Sequence, residues 1–357
     1  MNLDVADRAR RNPATRRGPP MAEETPPWAI VLAGAEGLRL RPLVEFVHGD
    51  HRPTPYATFL GSRSLLQQTL DRVASRIHPE RTVVIANARH APYLPRDLTS
   101  RATHTLLLQP ADCGTAAEVL LPAHGIARQD PDAVVAVIPS DHFVHDDTAF
   151  MSHVLALTRF AKRRADRIVL VGARPDAGPS SHEWIERGPP IGTIPDGPLF
   201  QIRRLGNGLS PEGHAGRAPN RLWNTGVFVA PVAALLNLSR RRLGHLSDRL
   251  ARTAPVIDSA EEPRAIEPAC TGVFPANLSR DVFGACAANL AASRLPAAFR
   301  WSDWTTPERV IRTLREVRVA PAWLDALTSG GGVRGDRAAR HRARSGRRPS
   351  GALGRTP

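Results

Sequence analysis

Residues 28–43 read WAIVLAGAEGLRLRPL: an apolar run runs into Ala33, Gly34, Ala35, Glu36 and Gly37, and Arg39 and Arg41 follow at once. An apolar run of strand length that ends in a small-residue turn predicts a buried parallel strand. The turn itself has phosphate-binding character. Glycine lets the main chain approach a polyphosphate, successive N–H groups form an anion-holding concavity, and a guanidinium forks onto phosphate oxygens. The spacing is neither GxxxxGK[ST] nor GxGxxG, and a plain strand-to-helix turn explains the same residues equally well.

Further along, apolar β-rich runs at 82–86, 105–108, 133–138 and 168–172 alternate with helical spacing over 64–77, 115–127 and 149–164. Strands alternating with helices predict an α/β fold, a Rossmann-like and mostly parallel sheet covered by helices on both faces, with ligands at the carboxyl ends of the strands. Residues 44–55 read as a polar loop containing His48, Gly49, Asp50 and His51. The Gly- and Pro-rich stretch 175–219 reads as a substrate-facing insertion with short β-like pieces at 183–186 and 200–205. A strand over 222–230 and one helix over 232–250 follow. The Ala-rich region 255–298 suggests a helix-rich closing segment, and Pro307 and Glu308 favour the start of a helix over 307–317.

Composition limits the partners. The chain has 357 residues and a formal charge of +14, nearly all of its cations being arginine, with many at its two ends. Residues 1–27 and 329–357 lack apolar periodicity and are expected to be disordered, leaving 28–328 as the folded domain. Met21 also offers a start just ahead of the first strand. The basic ends lack interleaved aromatics, which disfavours nucleic acid. Cys113, Cys270 and Cys286 have no CxxC spacing and suggest reduced thiols. No apolar segment reaches membrane-spanning length, so a cytoplasmic protein without a membrane partner is expected. A homodimer is compatible with all of this.

Several colinear blocks carry a more specific signal. LAGAEGLRLRPL, RPTPYATFLGSRSLLQQTLDR (52–72), QPADCGTA (109–116), VIPSDHFV (137–144), WNTGVFVA (223–230), SRDVF (279–283) and WSDWTTPERV (301–310) together resemble the mannose-1-phosphate guanylyltransferase family of sugar-nucleotide pyrophosphorylases. The resemblance covers roughly residues 28–318. It implies the nucleotide-diphospho-sugar transferase fold. It also implies nucleotidyl transfer from GTP or another NTP to mannose 1-phosphate or another hexose 1-phosphate, with Mg²⁺ as cofactor and a nucleotide-sugar such as GDP-mannose as product.

Asp141 follows the apolar strand through Pro139 and Ser140, where a carboxylate can hold Mg²⁺ against phosphates, while Asp146, Asp147 and Thr148 are free to cap the next helix. His142 and His145 beside Asp141 and Asp146 raise a transition-metal reading, which their spacing disfavours. Asp303 lies between Trp301 and Trp304, and the resemblance makes it the second carboxylate to the metal. Arg39 is the candidate for bracing the departing pyrophosphate, since such transfer proceeds mostly by positioning and charge neutralisation. The resemblance assigns the nucleotide to Ala33, Gly34, Gly37, Arg39, Gln109, Gly114 and Thr115, and the sugar to Glu186 and Asn224. For the segment of Gln109, Gly114 and Thr115 a loop and helix N-cap is the alternative reading, because Thr115 begins a helical pattern.

Four departures fall on these blocks. Ala35 replaces a glycine, Thr54 and Pro55 stand in place of Lys and Gln, Cys113 stands in place of Arg, and His182 and Glu183 replace a Tyr-Gly pair. One lost charge-assisted phosphate contact costs about 1.5 to 3 kcal/mol. The alternative to an active enzyme is therefore a weakened or inactive homologue that binds nucleotide or nucleotide-sugar in a regulatory role.

Overall fold

The structure, a computed structural model, describes residues 25–99, 104–175, 183–206, 220–297 and 299–329. Its centre is a nine-stranded sheet built, in chain order, from β1 (Trp28–Ala33), β2 (Thr82–Asn87), β3 (Thr105–Gln109), β4 (Val134–Pro139), β6 (Ile168–Ala173), β7 (Trp184–Ile194), β8 (Gly197–Gly206), β9 (Arg221–Pro231) and β10 (Leu290–Arg294). Between β4 and β6 lies the short strand β5 (Phe143–His145), which pairs with β11 (Arg300–Ser302) outside the main sheet. The spatial order is β3-β2-β1-β4-β9-β6-β10-β8-β7. The first four strands in that order run parallel, as do β6 and β10, whereas β9, β8 and β7 are antiparallel to their neighbours.

Both faces of the sheet are covered, and the strand alternation shows how. Trp28 and Ile30 enter one core with helices Gly114–Gln129, Val232–Arg242 and Gly244–Ala251, while Ala29, Val31 and Ala33 enter the other with helices Leu65–Ala74 and Asp147–Arg163. A strand buried on both faces reads as a continuous apolar run, which is why the parallel half was visible in the sequence. A third cluster packs helix Arg41–His48 and helices Pro307–Glu316 and Ala322–Ser329 around Phe59, Phe143 and Trp304.

Several expectations need correction. The loop expected at 44–55 begins inside helix Arg41–His48, whose first turn accepts Pro42 and which buries Leu43 and Val44. The single helix expected over 232–250 breaks at Leu243, just before Gly244. The short β-like pieces of the insertion belong to a long hairpin, β7–β8. There Pro189 and Pro190 are tolerated because register shifts interrupt the ladder near the sheet's edge. The closing segment has one ordinary helix, Glu262–Cys270, but also β10, fully inside the sheet despite its Ala-rich sequence. Helix Ala322–Ser329 ends the described residues, one position past the expected boundary at 328. The expectations for residues 1–24 and 330–357 lie outside the described residues.

Buried histidines tie these layers together. His153 is inaccessible and lies 2.6 Å from Asp196 through Nδ1 and 2.9 Å from Ser293 Oγ through Nε2, joining a helix, the β7–β8 turn and β10. His124 lies 3.2 Å from Ser247 Oγ, and burial pulls its pKa down to about 4. A histidine kept neutral in the fold takes up its proton on unfolding. Its contribution is therefore intact above the unfolded value near 6.5 and is lost as pH falls. Lowering the pH from 7.5 to 5.5 is expected to cost the wild type about 1 kcal/mol more than it costs His124→Gln, as read by urea unfolding.

Candidate active site

At the carboxyl ends of β1 and β4 a cleft of about 730 Å³ opens, lined among others by Gly34, Ala35, Glu118, Asp141, Asn224 and Asp303. The edge of β4 is secured by Ser140, whose N–H and Oγ–H both donate to the Leu32 carbonyl, at 3.0 and 2.7 Å. This fixes the backbone that presents Asp141. Asp146 caps helix Asp147–Arg163 through its carboxylate and Ala149 N–H, so Asp141 is not needed as a cap.

The β5–β11 ladder brings the second acid in. Ser302 pairs with Phe143 and Trp301 with Val144, an antiparallel register that continues toward Asp303 opposite His142. Trp304 is buried and stacks on Phe143 with ring centres 4.9 Å apart, and it meets Phe59 edge-on at 5.7 Å. Its φ of 41° lies in the left-handed region, so packing holds the residue after Asp303 in a conformation unfavourable for a bulky side chain. Asp303 itself is buried, accepting from Thr305 Oγ at 2.9 Å and from Arg309 at 3.2 Å.

Burial pushes the Asp141 carboxyl above the usual carboxylate range; the charge of His142 pulls the other way, and that of Asp303 pushes further up. Trp301 Nε1–H donates to His142 Nδ1 at 3.4 Å, and His142 Nε2 lies 3.6 Å from Asp141. His145 is exposed, and among the described residues no group of three or more His, Cys, Asp or Glu side chains is arranged to hold a metal. A hard cation would thus rest on the paired oxygen donors of Asp141 and Asp303 together with ligand oxygens and water, a donor set that fits Mg²⁺.

The turn after β1 is held from outside. Glu36 pairs with Arg89 at 2.9 Å and with buried His90 at 2.7 Å, and Tyr56 O–H donates to the Ala33 carbonyl at 3.0 Å. Gly34 and Ala35 line the cleft, whereas Gly37 packs against Thr54, whose Oγ1 is buried without a partner. Arg39 and Arg41 are exposed and stand outside the cleft lining. Thr54 and Pro55 are buried in a turn of 3-10 helix, a setting unlike that of a phosphate-binding ammonium.

Gln109 ends β3 but is buried, with Nε2 unpartnered and the residue outside the cleft lining. Gly114 and Thr115 do line it, but much of their surroundings is protein. Ala116 N–H donates to Ala276 O at 3.0 Å, Ala276 N–H to Cys113 O at 3.2 Å and Leu278 N–H to Thr115 Oγ1 at 3.1 Å. Residues 275–278 thereby strap the start of helix Gly114–Gln129. The N-cap position is Cys113, without a side-chain cap bond, and Thr115 lies inside the helix, contrary to the capping expectation. Cys113, Cys270 and Cys286 are free thiols, and Cys113 Sγ lies 3.6 Å from the Cys270 carbonyl. Gly114 has φ +81° and an added Cβ would sit 2.4 Å from Ala276 O. Gly114→Ala is expected to cost about 2 kcal/mol in a urea unfolding experiment by lifting this strap.

Asn224 lines the cleft and donates through Nδ2 to Glu183 at 3.0 Å, while Gly226 N–H donates to its Oδ1 at 3.2 Å. Glu186, three residues on in β7, is outside the cleft lining and lies 3.5 Å from Asn220. Glu183, read in the sequence as a disruptive departure, is the acid that faces the cleft; its neighbour His182 lies outside the described residues. Strand alternation could have located it, because Glu183 precedes β7 and Glu186 sits within that strand.

Glu118 was missed altogether. It projects from the first turns of helix Gly114–Gln129, and burial, helped by Asp112 and Asp141, pushes its carboxyl up to about 7. In total the described cleft lining contains Glu36, Asp112, Glu118, Asp141, Glu183 and Asp303 against His142 and Arg280, the latter bound to Asp281 at 2.6 Å. A lining with this excess of acids disfavours a bare anion.

Residues 28–194 match the family model of nucleotidyl transferases. A mannose-1-phosphate guanylyltransferase of Salmonella typhimurium is 26% identical over 212 residues, 58% of this chain and 43% of that protein. The mannose-1-phosphate guanylyltransferase of Escherichia coli K12 is 25% identical over 237 residues, 65% of this chain and 48% of its own length. The chain thus matches less than half the length of these curated relatives. The crystal structure of mannose-1-phosphate geranyltransferase from Thermus thermophilus superposes with a TM-score of 0.68 at 25% identity, covering 81% of this chain and 79% of that one. The fold is that of the nucleotide-diphospho-sugar transferases. No helix among the described residues is long and apolar enough to cross a membrane.

Proposed function

We propose that this chain, a relative of the sugar-nucleotide nucleotidyltransferases, joins an NTP and a hexose 1-phosphate into a nucleotide-sugar with release of pyrophosphate. GTP and mannose 1-phosphate are the pair favoured by its relatives. One observation carries the reading: Asp141 and Asp303, 162 positions apart, line the same cleft at the carboxyl ends of β1 and β4, close enough for the charge of one to raise the pKa of the other. Two carboxylates that repel each other in isolation are stabilised by a shared divalent cation.

In this reading Asp141 and Asp303 would hold Mg²⁺, which would supply charge neutralisation at the phosphate oxygens. A phosphate oxygen of the sugar phosphate attacks the α-phosphorus as the bond to the departing pyrophosphate breaks. Arg309 and Thr305 keep the Asp303 carboxylate oriented. Asn224 and Glu183 present a donor and acceptors to sugar hydroxyls, and the turn at Gly34 takes the nucleotide. Arg39 reaches the leaving group only if the ligand extends past the turn.

Pyrophosphate release measured across NTP and hexose 1-phosphate pairs with Mg²⁺ tests the proposal. Turnover with one preferred pair is expected, and none with any pair in folded protein defeats it. The exposed position of Arg39 outside the cleft favours a second reading, a homologue that binds nucleotide or nucleotide-sugar without turnover. Calorimetric binding in the absence of pyrophosphate release would mark that case.

A further inference from the structure

Each acid of the cleft but one already has work in the structure. Glu36 is engaged by Arg89 and His90, Asp112 accepts from Gly114 N–H, Glu183 accepts from Asn224, and Asp303 accepts from Arg309 and Thr305. Asp141 faces His142 across 3.6 Å. Glu118 makes no hydrogen bond or ion pair among the described residues, and it is half-buried in the cleft wall. A half-buried carboxyl that lines a cleft and has no partner among the described residues is available to a ligand.

Its position says which part of a ligand it meets. A Cβ built on Gly34 would fall 2.0 Å from Glu118 Oε1, so the carboxyl lies directly against the turn that the sequence suggested for phosphate. Two anions do not share that place without a cation between them, and among the described residues no third metal-ligating side chain joins Glu118 and another acid. An approaching pair of donors favours the ionised form, which is acceptor-only and can take two bonds side by side. Its complement is an uncharged group that presents two adjacent donors.

We infer that Glu118 is a specificity-determining residue of the nucleotide end of the cleft: it accepts from an adjacent pair of nucleoside donors over Gly34 and confines the phosphates to the rest of the turn. The inference rests on the nucleotide-binding reading above. Two parts of a nucleotide offer such a pair, the N1–H and N2–H₂ edge of guanine and the 2′ and 3′ hydroxyls of ribose. Adenine sets an acceptor beside its amino group, and uracil flanks its single N–H with carbonyls, so neither base supplies the pair.

Calorimetry on the full chain with Mg²⁺ separates the outcomes, using GTP, ITP and 2′-deoxyGTP against wild type, Glu118→Gln and Glu118→Asp. ITP lacks the guanine amino group, and 2′-deoxyGTP lacks one hydroxyl. Wild type is expected to bind one of these analogues about 10- to 100-fold more weakly than GTP, ITP if the base is read and 2′-deoxyGTP if the ribose is read. Both variants are expected to reduce that ratio to within about threefold, Glu118→Asp because its reach is shorter although its charge is kept. Glu118→Gln is also expected to bind inorganic tripolyphosphate more tightly than wild type does. A wild type that binds all three nucleotides equally, or variants that keep the wild-type ratio with unchanged circular dichroism, overturn the assignment of Glu118 and leave the proposed function standing. A wild type that binds no nucleotide overturns both.

Discussion

Asp141→Asn is expected to lower nucleotidyl transfer by about 10²- to 10³-fold, the scale at which removal of one charge-stabilising group acts in a pre-organised site. The substitution keeps size and shape, and Ser140, bound twice to the Leu32 carbonyl, keeps the backbone in place. Stability should move the other way. Burial and Asp303 make ionised Asp141 unfavourable in the fold, so a neutral amide at that position is expected to leave the thermal midpoint unchanged or raise it. Loss of pyrophosphate release in a protein that melts no lower than wild type separates a chemical role from a structural one. Full activity in Asp141→Asn would remove the basis for the cation site.

Trp304→Ala is expected to be the most damaging single change to stability. Truncating a fully buried aromatic costs about 3 to 5 kcal/mol, and relief of the left-handed backbone strain returns little of it because alanine also disfavours that region. The Phe143 stack and the Phe59 contact both disappear, so the third cluster loses its centre. Urea unfolding at neutral pH measures the loss. Trp304→Phe, which keeps one ring, is expected to restore about half of it. A loss below about 1 kcal/mol for the alanine variant would mean that the cluster repacks freely.

How much of this could be read from the chain depended on which signal a segment carries. The strands β1, β2, β4 and β6 announced themselves because both faces are buried and the apolar run is unbroken. β10 did not, because Ala291, Ala292 and Ser293 have weak strand preference, and their place in the sheet follows from neighbours distant in sequence. β5 and β11 contain three residues each and exist only as each other's partner. The candidate site divides in the same way. Asp141, Asn224 and Asp303 lie in motif blocks and line one cleft. Gln109 and Arg39 lie in motif blocks too and stand outside that lining, as Glu186 does, since a block fixes a segment and not the direction of each side chain. Glu118 belonged to no signature, and only the approach of helix Gly114–Gln129 to Gly34 reveals it.

The pairing of β5 with β11 also sets an order in time. Asp141 precedes Asp303 by 162 positions, and Asp303 is fastened by Trp304 beneath helix Pro307–Glu316. The pair of acids is therefore complete only once β11 has joined β5 and helix Pro307–Glu316 has docked. On the proposed function, capacity for a divalent ion would be gained only at that late step, and a molecule still short of it would compete poorly for metal and nucleotide.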